Sequence, residues 1–144
     1  MKTVKQLLQG KANGGAIHAI APEASVLDAI KLMAEKGIGA LVVLDRERLA
    51  GVLSERDYAR KVILHGRSSQ TTQVREIMTE KVITVRSEQT VDDCMALMTA
   101  KRIRHLPVVD AGKLAGVLSI GDLVKELIAD REETIKQLES YIRS

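Results

Sequence analysis

Aromatic side chains are nearly missing from this sequence: Tyr58 and Tyr141 are the only two, and there is no Phe and no Trp. The core must therefore be assembled from Val, Leu, Ile, Met and Ala. Proteins that hold single-stranded nucleic acid stack bases on aromatic platforms, and nucleic-acid binders in general gather basic charge on one face. Here 22 basic and 19 acidic residues are interspersed, with a net charge of +3, so no nucleic-acid partner is expected. A single cysteine, Cys94, excludes an internal disulfide framework and offers no thiolate pair for a zinc site. No apolar run is long enough to span a bilayer, and Met1-Lys2-Thr3-Val4 lacks the apolar stretch of a secretory signal. A soluble, cytoplasmic protein with no membrane partner is expected.

What the chain does contain is a heptapeptide written twice. Gly51-Val52-Leu53-Ser54-Glu55-Arg56-Asp57 returns as Gly116-Val117-Leu118-Ser119-Ile120-Gly121-Asp122, a spacing of 116 − 51 = 65 residues. The register extends without a gap, pairing Ser25-Val26-Leu27-Asp28 with Thr90-Val91-Asp92-Asp93 and Leu41-Val42-Val43-Leu44-Asp45 with Leu106-Pro107-Val108-Val109-Asp110. One structural unit is thus built twice. At 144 residues the chain has the length of about one domain, and a repeat of about fifty residues is marginal alone. The two copies are expected to share a core.

Each copy opens on a short helical turn, Val4 to Leu8 or Val74 to Met78, here offset by 74 − 4 = 70. Extra Gly-rich loop follows in the first copy, from Gly10 to Gly15. A short extended piece comes next, Ile17 to Ile20 or Val82 to Val85. Capping boxes at Ser25/Asp28 and Thr90/Asp93 then start helices. Val26, Ala29, Ile30, Met33 and Ala34 form one apolar stripe, and Val91, Cys94, Met95 and Met98 form its counterpart. Gly37 is placed as a left-handed helix cap, where the second copy has Arg102. The β-branched runs Ala40 to Leu44 and His105 to Val109 read as buried strands, with Pro107 taken to begin the latter. Each joins a second strand, Leu49 to Leu53 or Leu114 to Leu118, through a tight antiparallel hairpin. A helix follows each heptapeptide. The fold class predicted is α/β (α+β), two repeated β-α-β-β-α units packed by pseudo-two-fold symmetry. Boundaries fall at 4–65 and 74–128, with a polar surface linker at 66–73 and a C-terminal helical extension at 129–144. On that last helix Val124, Ile128, Ile135, Leu138 and Ile142 are spaced like a seam, which predicts contact with a partner chain or with its own module if the helix folds back.

Chemistry is less determined. Ser-x-x-Asp is itself a capping box, and the chain uses Ser/Thr-x-x-Asp four times. At Ser54/Asp57 and Ser119/Asp122, however, the pair follows a Gly-led strand, at a helix start whose free N–H groups attract phosphate. A carboxylate there accepts the hydroxyls of a ribose. Nucleotide binding and plain capping both satisfy the pattern. No paired catalytic acid and base, Cys/His arrangement or metal cluster is present, and His18, His65 and His105 are scattered, so no enzymatic activity is expected.

The two Gly-Val-Leu-Ser-x-x-Asp segments, with Ile38-Gly39-Ala40-Leu41-Val42-Val43-Leu44-Asp45 and Ile103-Arg104-His105-Leu106-Pro107-Val108-Val109-Asp110 before them, resemble the signature of CBS domains. That family places its domains in tandem pairs, called Bateman modules, and the resemblance covers residues 4 to 128. It implies a sensor of adenosyl ligands (AMP, ADP, ATP, NAD(H) or S-adenosylmethionine) bound in clefts between the repeats. Carried over, Asp57 and Asp122 are the ribose acids, and Ser54 and Ser119 lie beside the phosphate. His18 and Ile83 fall where backbone groups read the adenine edge. Ile38, Gly39 and Ala40, with Ile103, Arg104 and His105, border base and phosphates. Arg102, Arg104 and His105 are basic where Gly37, Gly39 and Ala40 are small, so the two clefts should differ. The resemblance further implies a homodimer and an unidentified regulated protein; the alternative is a dimerisation or interaction module whose clefts stay empty.

Overall fold

The computed structural model describes residues 2–11 and 17–143. Of the Gly-rich loop, Gly10 and Lys11 fall within this range and the rest lies outside it. The first copy runs α1 (Val4–Gln9), β1 (Ala19–Ile20), α2 (Val26–Lys36), β2 (Ala40–Asp45), β3 (Arg48–Ser54) and α3 (Glu55–Tyr58), which continues as a π-helical turn at Ala59–Ile63. The second runs α4 (Val74–Ile77), α5 (Val91–Lys101), β4 (His105–Asp110), β5 (Lys113–Ser119) and α6 (Ile120–Arg143). This is the α/β architecture of two repeated units expected from the duplication.

Local sequence explains most boundaries. Thr90 starts α5 with a full capping box, whereas at α2 only the hydroxyl half forms: Ser25 Oγ accepts from the Asp28 N–H at 3.1 Å while the Asp28 side chain stays in water. Gly37 closes α2 at φ +65°, and Arg102 closes α5 in the same left-handed region at φ +55°. A side chain with a Cβ costs about 1–2 kcal/mol there. The α2 stripe buries Val26, Ala29 and Met33, but Ala34 is exposed.

The hairpins pair as anticipated, with Leu41 opposite Leu53 and Val43 opposite Gly51, then Leu106 opposite Leu118 and Val108 opposite Gly116. β1 adds parallel to β2. Its counterpart, expected at Val82 to Val85, shrinks to a single bridge between Val85 and Val108. The cause is Pro107. It holds the place of Val42, whose N–H donates to the His18 carbonyl, and proline has no N–H to give. Pro107 is also the third residue of β4 rather than its first.

The two copies exchange their opening turns. Val4 N–H donates to Gln89 O at 2.8 Å, and Val91 N–H donates back to Lys2 O at 3.1 Å. The symmetry-related pair is Val74 N–H to Ala24 O and Val26 N–H to Thr72 O, both at 2.9 Å. Thus α1 satisfies and covers the start of the second copy's helix, and α4 does the same for the first. Val4 is fully buried among Val91, Cys94, Leu106 and Leu118, while Val74 and Ile77 are buried among Val26, Met33, Leu41 and Leu53. Burying each such side chain is worth about 1.5–3 kcal/mol. The segment read as a free surface linker belongs to this joint: Thr72 is buried, and Ser69 O accepts from the Leu27 N–H at 2.9 Å. Helix α2 needs acceptors for its first N–H groups, and the linker supplies them.

The leading glycine of each heptapeptide follows from the same exchange. A Cβ on Gly51 would lie 2.8 Å from the Thr79 carbonyl oxygen and 2.9 Å from Met78 Sδ, at the end of α4; one on Gly116 would lie 2.7 Å from Leu8 Cδ2, in α1. Backbone cannot retreat, but the tip of a leucine can. Gly51→Ala should therefore destabilise the fold by about 1–3 kcal/mol, and Gly116→Ala by clearly less. Urea denaturation of both variants measures the difference; equal losses would contradict this reading of the joint.

Two clefts between the repeats

Because each copy is closed by part of the other, two grooves form between them, each walled by both copies. The first encloses about 320 Å³ and takes His18, Ile38, Gly39 and Ala40 from the first copy, with Ser119 and Asp122 from the second. The other, of about 450 Å³, takes Ser54 and Asp57 from the first copy, with Ile83, Ile103, Arg104 and His105 from the second. All twelve residues singled out from the sequence line one groove or the other, and Gly39 and His105 line both. Gly39, Val52, His105 and Pro107 line both grooves, so the two share a wall.

At each strand-to-helix turn the Ser/Asp pair forms a reciprocal cap. Ser54 N–H donates to Asp57 Oδ2 at 2.9 Å, and Asp57 N–H donates to Ser54 Oγ at 3.1 Å. Ser119 N–H donates to Asp122 Oδ2 at 2.8 Å, with Asp122 N–H returning to Ser119 Oγ at 3.2 Å. Capping is therefore present at both sites, and it also holds each carboxylate at the mouth of a cleft. The helix starts offer less to a phosphate than the motif suggests: the Glu55 N–H already donates to Gly39 O, and the Ile120 N–H to Arg104 O. The remaining positive charge along the clefts comes from basic side chains.

Their distribution makes the clefts unequal. Arg56, Arg60, Lys81, Arg102 and Arg104 line the larger cleft, against Glu55 and Asp57. In the smaller one Lys11 and Asp122 pair with each other, Lys11 Nζ lying 3.0 Å from Asp122 Oδ2. Burial raises the Asp122 pKa, but the Ser119 N–H and the Lys11 ammonium outweigh it and leave the carboxyl below its ordinary value. His105, half-buried in the shared wall, has a lowered pKa: burial dominates, and Arg104 and Lys11 reinforce it against the opposing pull of Asp122 and Glu55. Cys94 is core, its thiol pushed up to about 11 by burial and then by Asp93.

Lys11, Lys81, Thr79, Arg56 and Arg60 escaped the sequence reading. The two lysines carried a signal, since 81 − 11 = 70 repeats the offset of the opening turns. Arg56 lay inside the heptapeptide, at a position where the second copy has Gly121. Among the described residues no group of His, Cys, Asp and Glu could hold a metal ion, and no helix is long and apolar enough to cross a membrane.

A duplicated strand–helix unit with two related grooves between its copies defines a tandem-repeat module with paired clefts. The chain belongs to the CBS-domain family, whose model matches residues 16–64 and 74–129. It is 42% identical over 140 residues to the mitochondrial CBS domain-containing protein CBSX3 of Arabidopsis thaliana, covering 94% of this chain and 68% of that protein. A Burkholderia ambifaria structure, named for signal transduction and its CBS domains, matches with a TM-score of 0.87 and 58% identity, over 90% of this chain and 96% of that one. CBSX2, solved in complex with AMP, matches with a TM-score of 0.72 and 31% identity, over 90% and 98% of the respective chains.

Proposed function

We propose that this chain is a regulatory sensor of adenosyl ligands with no chemistry of its own. It binds an adenine nucleotide (AMP, ADP or ATP, with NAD(H) or S-adenosylmethionine as further members of the class) between its repeats and passes the ligand state to a partner protein. The observation that carries this reading is the composition of each cleft. One carboxylate held by its serine cap faces a groove with aliphatic walls, from Ile38, Val42 and Val117 in one and Val82, Ile83 and Ile103 in the other, beside at least one lysine. Aliphatic walls bury an adenine without stacking it, the carboxylate accepts from the ribose diol, and the cations meet the phosphate. The AMP bound to the related CBSX2 supports the same class of ligand. The excess of arginine in the larger cleft favours the more highly charged nucleotides there.

Asp57→Ala and Asp122→Ala should each abolish one site while the fold persists. Losing an acceptor for the ribose hydroxyls costs about 1.5–3 kcal/mol per bond, tenfold or more in affinity. Losing a helix cap alone costs about 1 kcal/mol of stability and leaves affinity untouched. Calorimetric titration with AMP, together with a melt of each variant, separates these roles; unchanged affinity in both variants would reduce the motif to a cap.

A homodimer is the second part of the proposal. Leu123 faces the core, with Ile120 and Leu127 beside it, yet Val124, Ile128, Ile135, Leu138 and Ile142 remain between 42% and 80% exposed along the same helix. Nothing among the described residues folds back to cover them, and a second copy would. Truncation after Ala129 should weaken association in sedimentation equilibrium. A truncated chain that dimerises as tightly as the full one, or a full-length monomer, would contradict this role for α6.

A further inference from the structure

Lys11 and Lys81 stand at equivalent places, each just beyond an exchanged opening turn and each lining the cleft whose carboxylate comes from a heptapeptide. They hold different partners. Lys11 Nζ donates to Asp122 Oδ2 at 3.0 Å and to the Val117 carbonyl at 2.8 Å, with only 26% of its side chain exposed. Lys81 is exposed. Asp57 is met instead by Lys61 Nζ at 3.5 Å and by the Thr79 hydroxyl, which donates to Oδ1 at 3.4 Å. One carboxylate is therefore clamped by a cation inside its own cleft, and the other is not.

We propose that Lys11 determines the specificity of the smaller cleft, by competing with a ribose diol for Asp122 and yielding only to a ligand whose 5′-phosphate gives its ammonium a new partner. This rests on the adenosyl-ligand reading above. A neutral nucleoside that takes Asp122 strands the half-buried ammonium with one carbonyl acceptor, and a buried charge without its counter-ion is unfavourable. A nucleoside monophosphate displaces Lys11 from one anion and offers it another, so the charge stays paired throughout. The smaller cleft thus discriminates AMP from adenosine through a single side chain. In the larger cleft phosphate contacts simply add to a carboxylate that no cleft lysine has claimed.

The test is calorimetric titration of the full chain with adenosine and with AMP, in an Asp57→Ala background so that the smaller cleft reports alone. Lys11→Met should raise adenosine affinity and lower AMP affinity, cutting the AMP-over-adenosine preference by about tenfold or more. Lys11→Arg should keep the preference, because the charge remains. Opposite movement of the two affinities is something a purely structural lysine would not produce. A preference that survives Lys11→Met within about twofold, or two affinities that fall together, overturns the role of Lys11 while leaving the ligand class standing. If neither probe binds any of these chains, the adenosyl reading fails and the Lys11 proposal fails with it.

Discussion

Four backbone hydrogen bonds between the copies, Val4 to Gln89, Val91 to Lys2, Val74 to Ala24 and Val26 to Thr72, are the constraint on which the rest of the structure depends. A helix start leaves N–H groups without partners, and a fifty-residue unit buries too little surface to stand alone. Exchanging the opening turns answers both needs. Each turn caps the other copy's first long helix and sets a valine, Val4 or Val74, into the other copy's core. The units are then inseparable, and the glycines at 51 and 116 are explained by how closely the exchanged turns approach the strands.

The clefts are a geometric consequence. Once the units interlock, the end of β3 in one copy faces the start of β4 in the other, and the end of β5 faces the start of β2. Each Ser/Asp cap is thereby opposed by the other copy's Ile-x-x segment. The symmetry is broken in charge and backbone as well as in size: Arg102 and Arg104 replace two glycines, Pro107 replaces Val42, and Lys11 reaches Asp122 while Lys81 is exposed.

Much of this was legible beforehand, because repetition, capping boxes and β-branched runs are local signals. The heptapeptides located the carboxylates, while the clefts between the copies and the segments bordering them were implied by the family resemblance. The exchange of α1 and α4 was not legible, since apolar periodicity says that Val4 and Val74 are buried but not in which copy. The reduction of the second copy's first strand could have been read from Pro107, whose missing donor falls opposite a needed acceptor. Thr72 looked like linker because its burial comes from a tertiary contact, not from its own polarity. Lys11 sits beside a glycine-rich stretch with no periodicity, and only its partner at Lys81 marked it. The helix-start N–H groups were credited to a phosphate although Gly39 O and Arg104 O already use one at each site.

The central claim is that each ligand site is built jointly by both repeats. Amide chemical shifts of the isotope-labelled full chain, followed as AMP is added, test it most directly. The account predicts that His18 and Gly39 of the first copy shift together with Ser119 and Asp122 of the second as one cleft fills. Shifts confined to a single copy, or none at either heptapeptide, would contradict it.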